Sequence, residues 1–235
     1  GDYLAIQQLL SKQAAAADRI ARLVSDLEAA VSRSCASAMY VLALCHDDGL
    51  GVPQSAAKAS ELLQRATDLG FSPAMNQLGA KYQEGSGVAK DVKKAAELYQ
   101  RAADNGFPLA MYNLAKFFEH GTGVAKDEQK ALHWYGNSAR AGYSWGMLRL
   151  GQCYESGGLG VAKDGQAAVH WFCKAMWMRN VGAMLQLGRC YEAGVGVIKD
   201  EKAAFEWYGK AAHAGNSEAM QRLGDRLYLV QSYET

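Results

Sequence analysis

Proline is scarce: three residues in 235, so few helices need be interrupted. Charge of one sign is not in excess either. Twenty-five Lys and Arg stand against 24 Asp and Glu, a formal net charge of +1, and no basic run is present. That excludes the cationic footprint by which proteins hold a phosphate backbone. No stretch approaches the ~18 consecutive apolar residues of a membrane span, and no signal peptide is visible. The chain opens at Gly1 rather than at a methionine, which leaves a targeting segment upstream open. Motifs that carry chemistry are missing as well. There is no His-x-x-x-His, no Cys-x-x-Cys and no complete Gly-x-Gly-x-x-Gly. The expectation is therefore no catalytic residue, no metal and no cofactor.

The cysteines add a further absence. Cys45, Cys153 and Cys190 share one repeat register, so successive copies should lie farther apart than the ~7 Å a disulfide allows. Cys35 and Cys173 have no partner in register, and the count of five is odd. Free, packed thiols in a reducing compartment, the cytoplasm, are expected.

What is abundant is glycine, 25 residues, and it recurs in phase. A small residue opens each unit at Ala38, Ala74, Ala110, Gly146, Ala183 and Ala219. A Leu-small pair follows at Leu42-Ala43, Leu78-Gly79, Leu114-Ala115, Leu150-Gly151, Leu187-Gly188 and Leu223-Gly224. Then come an aromatic (Tyr82, Phe118, Tyr154, Tyr191), a turn ending in Gly-Val, and an Asp (Asp91, Asp127, Asp164, Asp200; Ser55 in the first unit). A second pattern carries Leu62-Leu63, Leu98-Tyr99, Trp134-Tyr135, Trp171-Phe172 and Trp207-Tyr208, and units close at Gly70, Gly106, Gly142 and Gly215. The step is 36 residues, except for one of 37, whose extra residue falls within Gly157-Gly158-Leu159-Gly160.

Each position has a physical reason. The i, i+1, i+4, i+5, i+8 spacing of Ala74, Met75, Leu78, Gly79 and Tyr82 is one face of a helix, here helix A. Its small residue admits a neighbour. The Asp or Ser is an N-cap for the following helix B, and the closing Gly suits the left-handed position that ends a helix. Two short helices cannot bury these faces alone; stacked pairs can. Residues 3–34 lie outside the repeat, and Ile6, Leu10, Gln13, Ala17, Ile20, Val24, Leu27 and Val31 make a heptad seam. Two readings stay open: a coiled coil giving a homodimer through Ile6–Val31, or a cap over the first repeat. The predicted organisation is an N-terminal helix over 1–36, five repeats at 37–71, 72–107, 108–143, 144–180 and 181–216, and a C-terminal capping helix and tail over 217–235.

The fifth unit reads Ala183, Leu187-Gly188, Tyr191, Gly194, Gly196, Asp200, Trp207-Tyr208, Ala211-Ala212 and Gly215. This signature resembles the SEL-one-like repeat family, a longer-looped relative of the tetratricopeptide repeat, and the resemblance covers roughly Ser37 to Tyr228. It implies an all-α fold, a right-handed α-solenoid with a concave surface facing a partner. It also implies adaptor work, which in that family ranges over membrane-protein quality control, cell-wall synthesis control, bacterial signalling and host invasion. Some secreted members carry a cysteine pair in each repeat; this chain does not.

By that analogy helix A lines the groove. The candidate partner-binding residues there are Tyr40, Asp47, Asn76, Gln83, Tyr112, Lys116, Glu119, Gln152, Glu155, Arg189 and Glu192. One register position reads Asp47, Gln83, Glu119, Glu155, Glu192, mostly acidic, which suits a basic peptide. An acidic residue before the turn glycine could equally be a habit of the repeat. The other anomaly is Met176-Trp177-Met178-Arg179 where other units have Ala-His-Ala-Gly or Ala-Arg-Ala-Gly. It reads either as a contact surface or as repacking around the inserted residue. The functional expectation is a protein or peptide adaptor, with an oligomeric structural or regulatory subunit as the alternative. A hydrolytic site in the groove is the weaker reading, because the repeat grid supplies no convergent nucleophile and base.

Overall fold

The computed structural model describes residues 18–233, and their side chains as far as Asp225. Among the described residues every regular element is a helix. Helix α1 covers 18–32. Five pairs follow: α2 (Ala36–Asp48) with α3 (Ala56–Asp68), α4 (Ser72–Glu84) with α5 (Val92–Asp104), α6 (Pro108–His120) with α7 (Glu128–Arg140), α8 (Ser144–Ser156) with α9 (Gly165–Trp177), and α10 (Val181–Ala193) with α11 (Glu201–His213). Helix α12 (Ser217–Tyr233) ends the row. The chain is thus an α-solenoid of consecutive helix pairs, and it divides into two compact units, residues 1–110 with 122–124, and residues 111–121 with 125–235.

The helix limits follow from the repeated cap chemistry. Each B helix starts at a residue whose side-chain oxygen accepts backbone N–H groups: Ser55 from Lys58, Asp91 from Lys93 and Lys94, Asp127 from Lys130, Asp164 from Ala167 and Asp200 from Ala203. Each such cap stabilises by about 1 kcal/mol. The same residues pin the loop from behind, their N–H groups donating to His46, Tyr82, Phe118, Tyr154 and Tyr191 carbonyls at 2.8–3.0 Å. B helices end on a left-handed residue, a glycine (Gly70, Gly106, Gly142, Gly215) in every pair but the fourth, where Arg179 takes φ 57°.

In the first unit α2 packs on α3, α3 on α4 and α4 on α5. Met39, Leu42, Leu63, Met75, Leu78 and Tyr99 are buried there. Helix α1 lies against this unit: Ile20 and Val24 sit on Gly51, leaving no room for a Cβ, and Val24 and Val31 are buried. Two of the described seam residues, Ile20 and Val24, therefore meet the chain's own first repeat; Ile6, Leu10, Gln13 and Ala17 lie outside the described residues.

In the second unit α7 through α12 pack each on the next, around Leu148, Leu150, Phe172, Leu187 and Tyr208. The small residue of helix A faces the helix B ring of its own pair. A Cβ on Gly151 would come within 2.6 Å of Phe172, and one on Gly188 within 2.5 Å of Tyr208. The same contact occurs in the first unit, between Gly79 and Tyr99. The fourth pair differs in its turn as well. At Gly196 the backbone lies hard against Gly165, but Gly160 has nothing within 4 Å, and Leu159 packs instead against the Ala131–Tyr135 cluster of the preceding pair.

Candidate functional site

The register position that reads Asp47, Gln83, Glu119, Glu155, Glu192 lies at the end of each A helix. There a carboxylate can meet the B-helix ring of its own pair and the A helix of the next. In the first unit Lys81, buried on α4, donates to Asp47 at 2.6 Å, and the Tyr99 hydroxyl donates to Gln83 Oε1 at 3.1 Å. In the second unit Glu119 accepts from the Tyr135 hydroxyl at 2.6 Å and pairs with Arg149 of α8. Glu192 repeats that geometry, accepting from Tyr208 at 2.6 Å and from Arg222 of α12 at 2.9 Å. The guanidinium carbons of Arg149 and Arg222 also lie 5.8 and 5.5 Å from the Tyr135 and Tyr208 ring centres, within cation–π range.

These contacts set the electrostatics. Burial alone would raise the Glu119 carboxyl, but hydrogen bonds from Arg149 and Tyr135 outweigh it and hold the group below its ordinary value. The tyrosines are driven up: burial is the largest cause at Tyr135 and Tyr208, reinforced by the carboxylate each donates to. Glu155 behaves in the opposite way. It is half-buried and accepts no hydrogen bond from a described residue; burial pushes its carboxyl up, and nearby Arg189 and Lys163 offset that only in part. Burial also pushes the neighbouring Cys190 thiol up to about 12, with Glu155 adding to the shift. All five cysteines are free.

The other predicted positions divide sharply. Tyr40 is half-buried, edge-on to Phe71 with ring centres 5.7 Å apart. Tyr112 is half-buried between Tyr135 and Tyr143, each at 5.5 Å. Asn76 is buried, so it offers no surface to a partner. Lys116 and Gln83 are exposed and Gln152 is half-buried. Arg189 pairs with Glu218 of α12, and its Nε is buried with no acceptor. Met176 packs into the α8–α9 core, whereas Trp177 (78% exposed) and Met178 (56%) stand out from the end of α9. Sequence reasoning missed Trp145, 50% exposed at the start of α8. With Arg179, Asn180 and Asn216 it lines a cleft of about 410 Å³. It also missed Arg149 and Arg222; both directly precede the Leu-small pair, a register that could have been aligned.

Ser144, central in Gly142-Tyr143-Ser144-Trp145-Gly146, accepts from Asn180 Nδ2 at 3.3 Å. Ser55 and Lys58 have Ser-x-x-Lys spacing, but the Ser55 hydroxyl is committed to capping α3. No group of three or more His, Cys, Asp or Glu that could hold a metal ion is found among the described residues. No helix among them is long and apolar enough to cross a membrane.

Stacked helix pairs with cap-closed turns place the chain in the class of helical-repeat scaffolds. The Sel1 repeat model matches residues 36–71, 72–107, 108–143, 146–175 and 181–216, and the chain belongs to the Sel1 repeat family. Among solved structures it is similar to a Sel1 repeat protein from Oxalobacter formigenes, at 32% identity and a TM-score of 0.78 over 82% of this chain and 78% of that one. It is also similar to c5321, a protective antigen of uropathogenic Escherichia coli, at 30% identity and a TM-score of 0.81. That match covers 88% of this chain but 44% of c5321. The immunity protein Pa5087 from Pseudomonas aeruginosa, 24% identical with a TM-score of 0.58 over 83% of this chain and 74% of that one, shares the fold. No curated protein matches the chain. Sel1 repeat proteins are in general protein-interaction scaffolds.

Proposed function

We propose that this chain is an adaptor that binds a protein partner through its fourth and fifth repeats, without catalysis. The observation that carries this reading is the exposure of three large apolar side chains in the fourth repeat: Trp145, which lines the Arg179 cleft, and Trp177 and Met178, which directly precede Arg179 in the chain. Large aromatic and methionine side chains left in solvent cost hydrophobic free energy, and in natural proteins such clusters mark contact surfaces. The Arg179 backbone adds to it, since a non-glycine residue in the left-handed region costs roughly 1 kcal/mol that a glycine would save. The helix A residues Lys116, Gln152, Glu155 and Arg189 extend the candidate surface along the second unit. The five free thiols favour a reducing compartment, the cytoplasm.

Assembly as a homodimer through the Ile6–Val31 seam is the weaker reading, because Ile20 and Val24 already meet the first repeat. A pull-down from native extract tests the adaptor. Trp177→Ala with Met178→Ser is expected to lower partner capture at least tenfold, as loss of a central aromatic anchor does. Undiminished capture by that variant and by Glu155→Lys would remove the assigned surface. Sedimentation of the intact chain at monomer mass would end the dimer reading.

A further inference from the structure

The repeat grid makes the environment of each end-of-helix carboxylate predictable, and one copy breaks the rule twice. Glu119 and Glu192 each have two donors, a tyrosine hydroxyl from their own B helix and an arginine from the next A helix. For Glu155 the corresponding B-helix ring is Phe172, which has no hydroxyl, and the residue in register with Arg149 and Arg222 is Gln186. Both partners are gone while the carboxylate remains. Arg189, the cation of α10 closest in register, pairs with Glu218 and donates to Gln186 Oε1 at 3.5 Å, and acts on Glu155 only through space. A second unmet group lies on the same stretch: Arg189 Nε is buried without an acceptor.

An ionised carboxylate that is half desolvated and accepts no hydrogen bond is costly, and a cationic donor repays that cost best. We propose that Glu155 is the partner-recognition carboxylate of the fourth repeat and takes a lysine or arginine side chain of the bound protein. Glu119 and Glu192 are its structural counterparts, already satisfied within the fold. The Glu218 pairing offsets part of the Arg189 charge, although Arg189 and Lys163 still act on Glu155 through space. The raised carboxyl of Glu155 agrees with this environment. The proposal rests on the adaptor reading, but it is tested without any partner protein.

The test follows the side-chain carboxyl carbons of the intact chain, labelled in glutamate, by NMR during titration with N-acetyl-argininamide. N-acetyl-citrullinamide serves as the neutral isostere. Glu155 is expected to show a saturable shift with the arginine probe and none with citrulline, while Glu119 and Glu192 move less than a fifth as far. Phe172→Tyr restores the internal donor at a position where other repeats already carry tyrosine, and is expected to abolish the shift without loss of helicity. Glu155 responding no more than Glu119, or equal responses to both probes, overturns the proposal. A saturable Glu155 response combined with a failed pull-down would refute the adaptor reading and leave this site standing.

Discussion

The third and fourth repeats carry a carboxylate at the same register and use it in opposite ways. Glu119 is locked to Tyr135 and Arg149 and tied to the next helix. Glu155 has Phe172 and Gln186 at the corresponding registers, and accepts no hydrogen bond from a described residue. The same repeat also holds the inserted turn residue, the left-handed Leu159 and Arg179, and the exposed Trp177 and Met178. The third and fifth repeats meet this carboxylate within the fold. The fourth repeat leaves it without such donors, and leaves Trp177 and Met178 exposed. Departures from a locally consistent pattern concentrate where a protein does something other than fold.

The comparison can be broken by experiment. The largest effect is expected from truncating the two carboxylates. Glu119→Ala leaves Tyr135 and Arg149 without an acceptor and should cost about 3 kcal/mol in urea unfolding, while Glu155→Ala costs nearly nothing. Equal losses would mean the two sites are equivalent after all. Next in size is the donor swap. Tyr135→Phe should destabilise by about 1.5 kcal/mol, the worth of a hydrogen bond to a charged group, and Phe172→Tyr should stabilise by a smaller amount. Third is the backbone: Arg179→Gly should stabilise by about 0.5–1 kcal/mol, and a loss would show that the arginine side chain holds the α9–α10 turn.

The smallest effect is in pH dependence, with opposite signs at the two sites. The folded Glu119 carboxyl is lowered, so its contribution is present above the unfolded carboxylate value and is lost as pH falls through the folded one. Glu119→Gln should therefore flatten the acid limb of stability. The folded Glu155 carboxyl is raised, so protonation favours the fold. That advantage is complete below the unfolded value and disappears as pH rises through the folded one. Glu155→Gln should be more stable than the native chain at neutral pH and indistinguishable from it in acid. Stability curves measured from pH 3 to 7 decide both.

Much of this was legible in the residues. The caps at Asp91, Asp127, Asp164 and Asp200, the left-handed glycines and the approach of Gly79 to a neighbouring ring are local or strictly periodic, and periodicity exposes them without coordinates. The candidate surface was legible only in part. Reading every helix A residue at a given register as groove-facing brought in Asn76, which is buried, and Tyr40 and Tyr112, which are half-buried against other rings. The acidic row looked like one surface feature because its satisfaction depends on residues 16 and 30 or more positions away in the chain. Trp145 escaped notice because a lone tryptophan at a helix start carries no periodic signal.

The sequence by itself determined the helix pairs, their caps and their length, because those depend on interactions within a few residues or on a repeat that restates itself five times. The tertiary structure alone decided which carboxylates are spent and which is left over. That outcome requires a ring from one helix and a guanidinium from the next to converge on one oxygen, and convergence between helices is a property of packing.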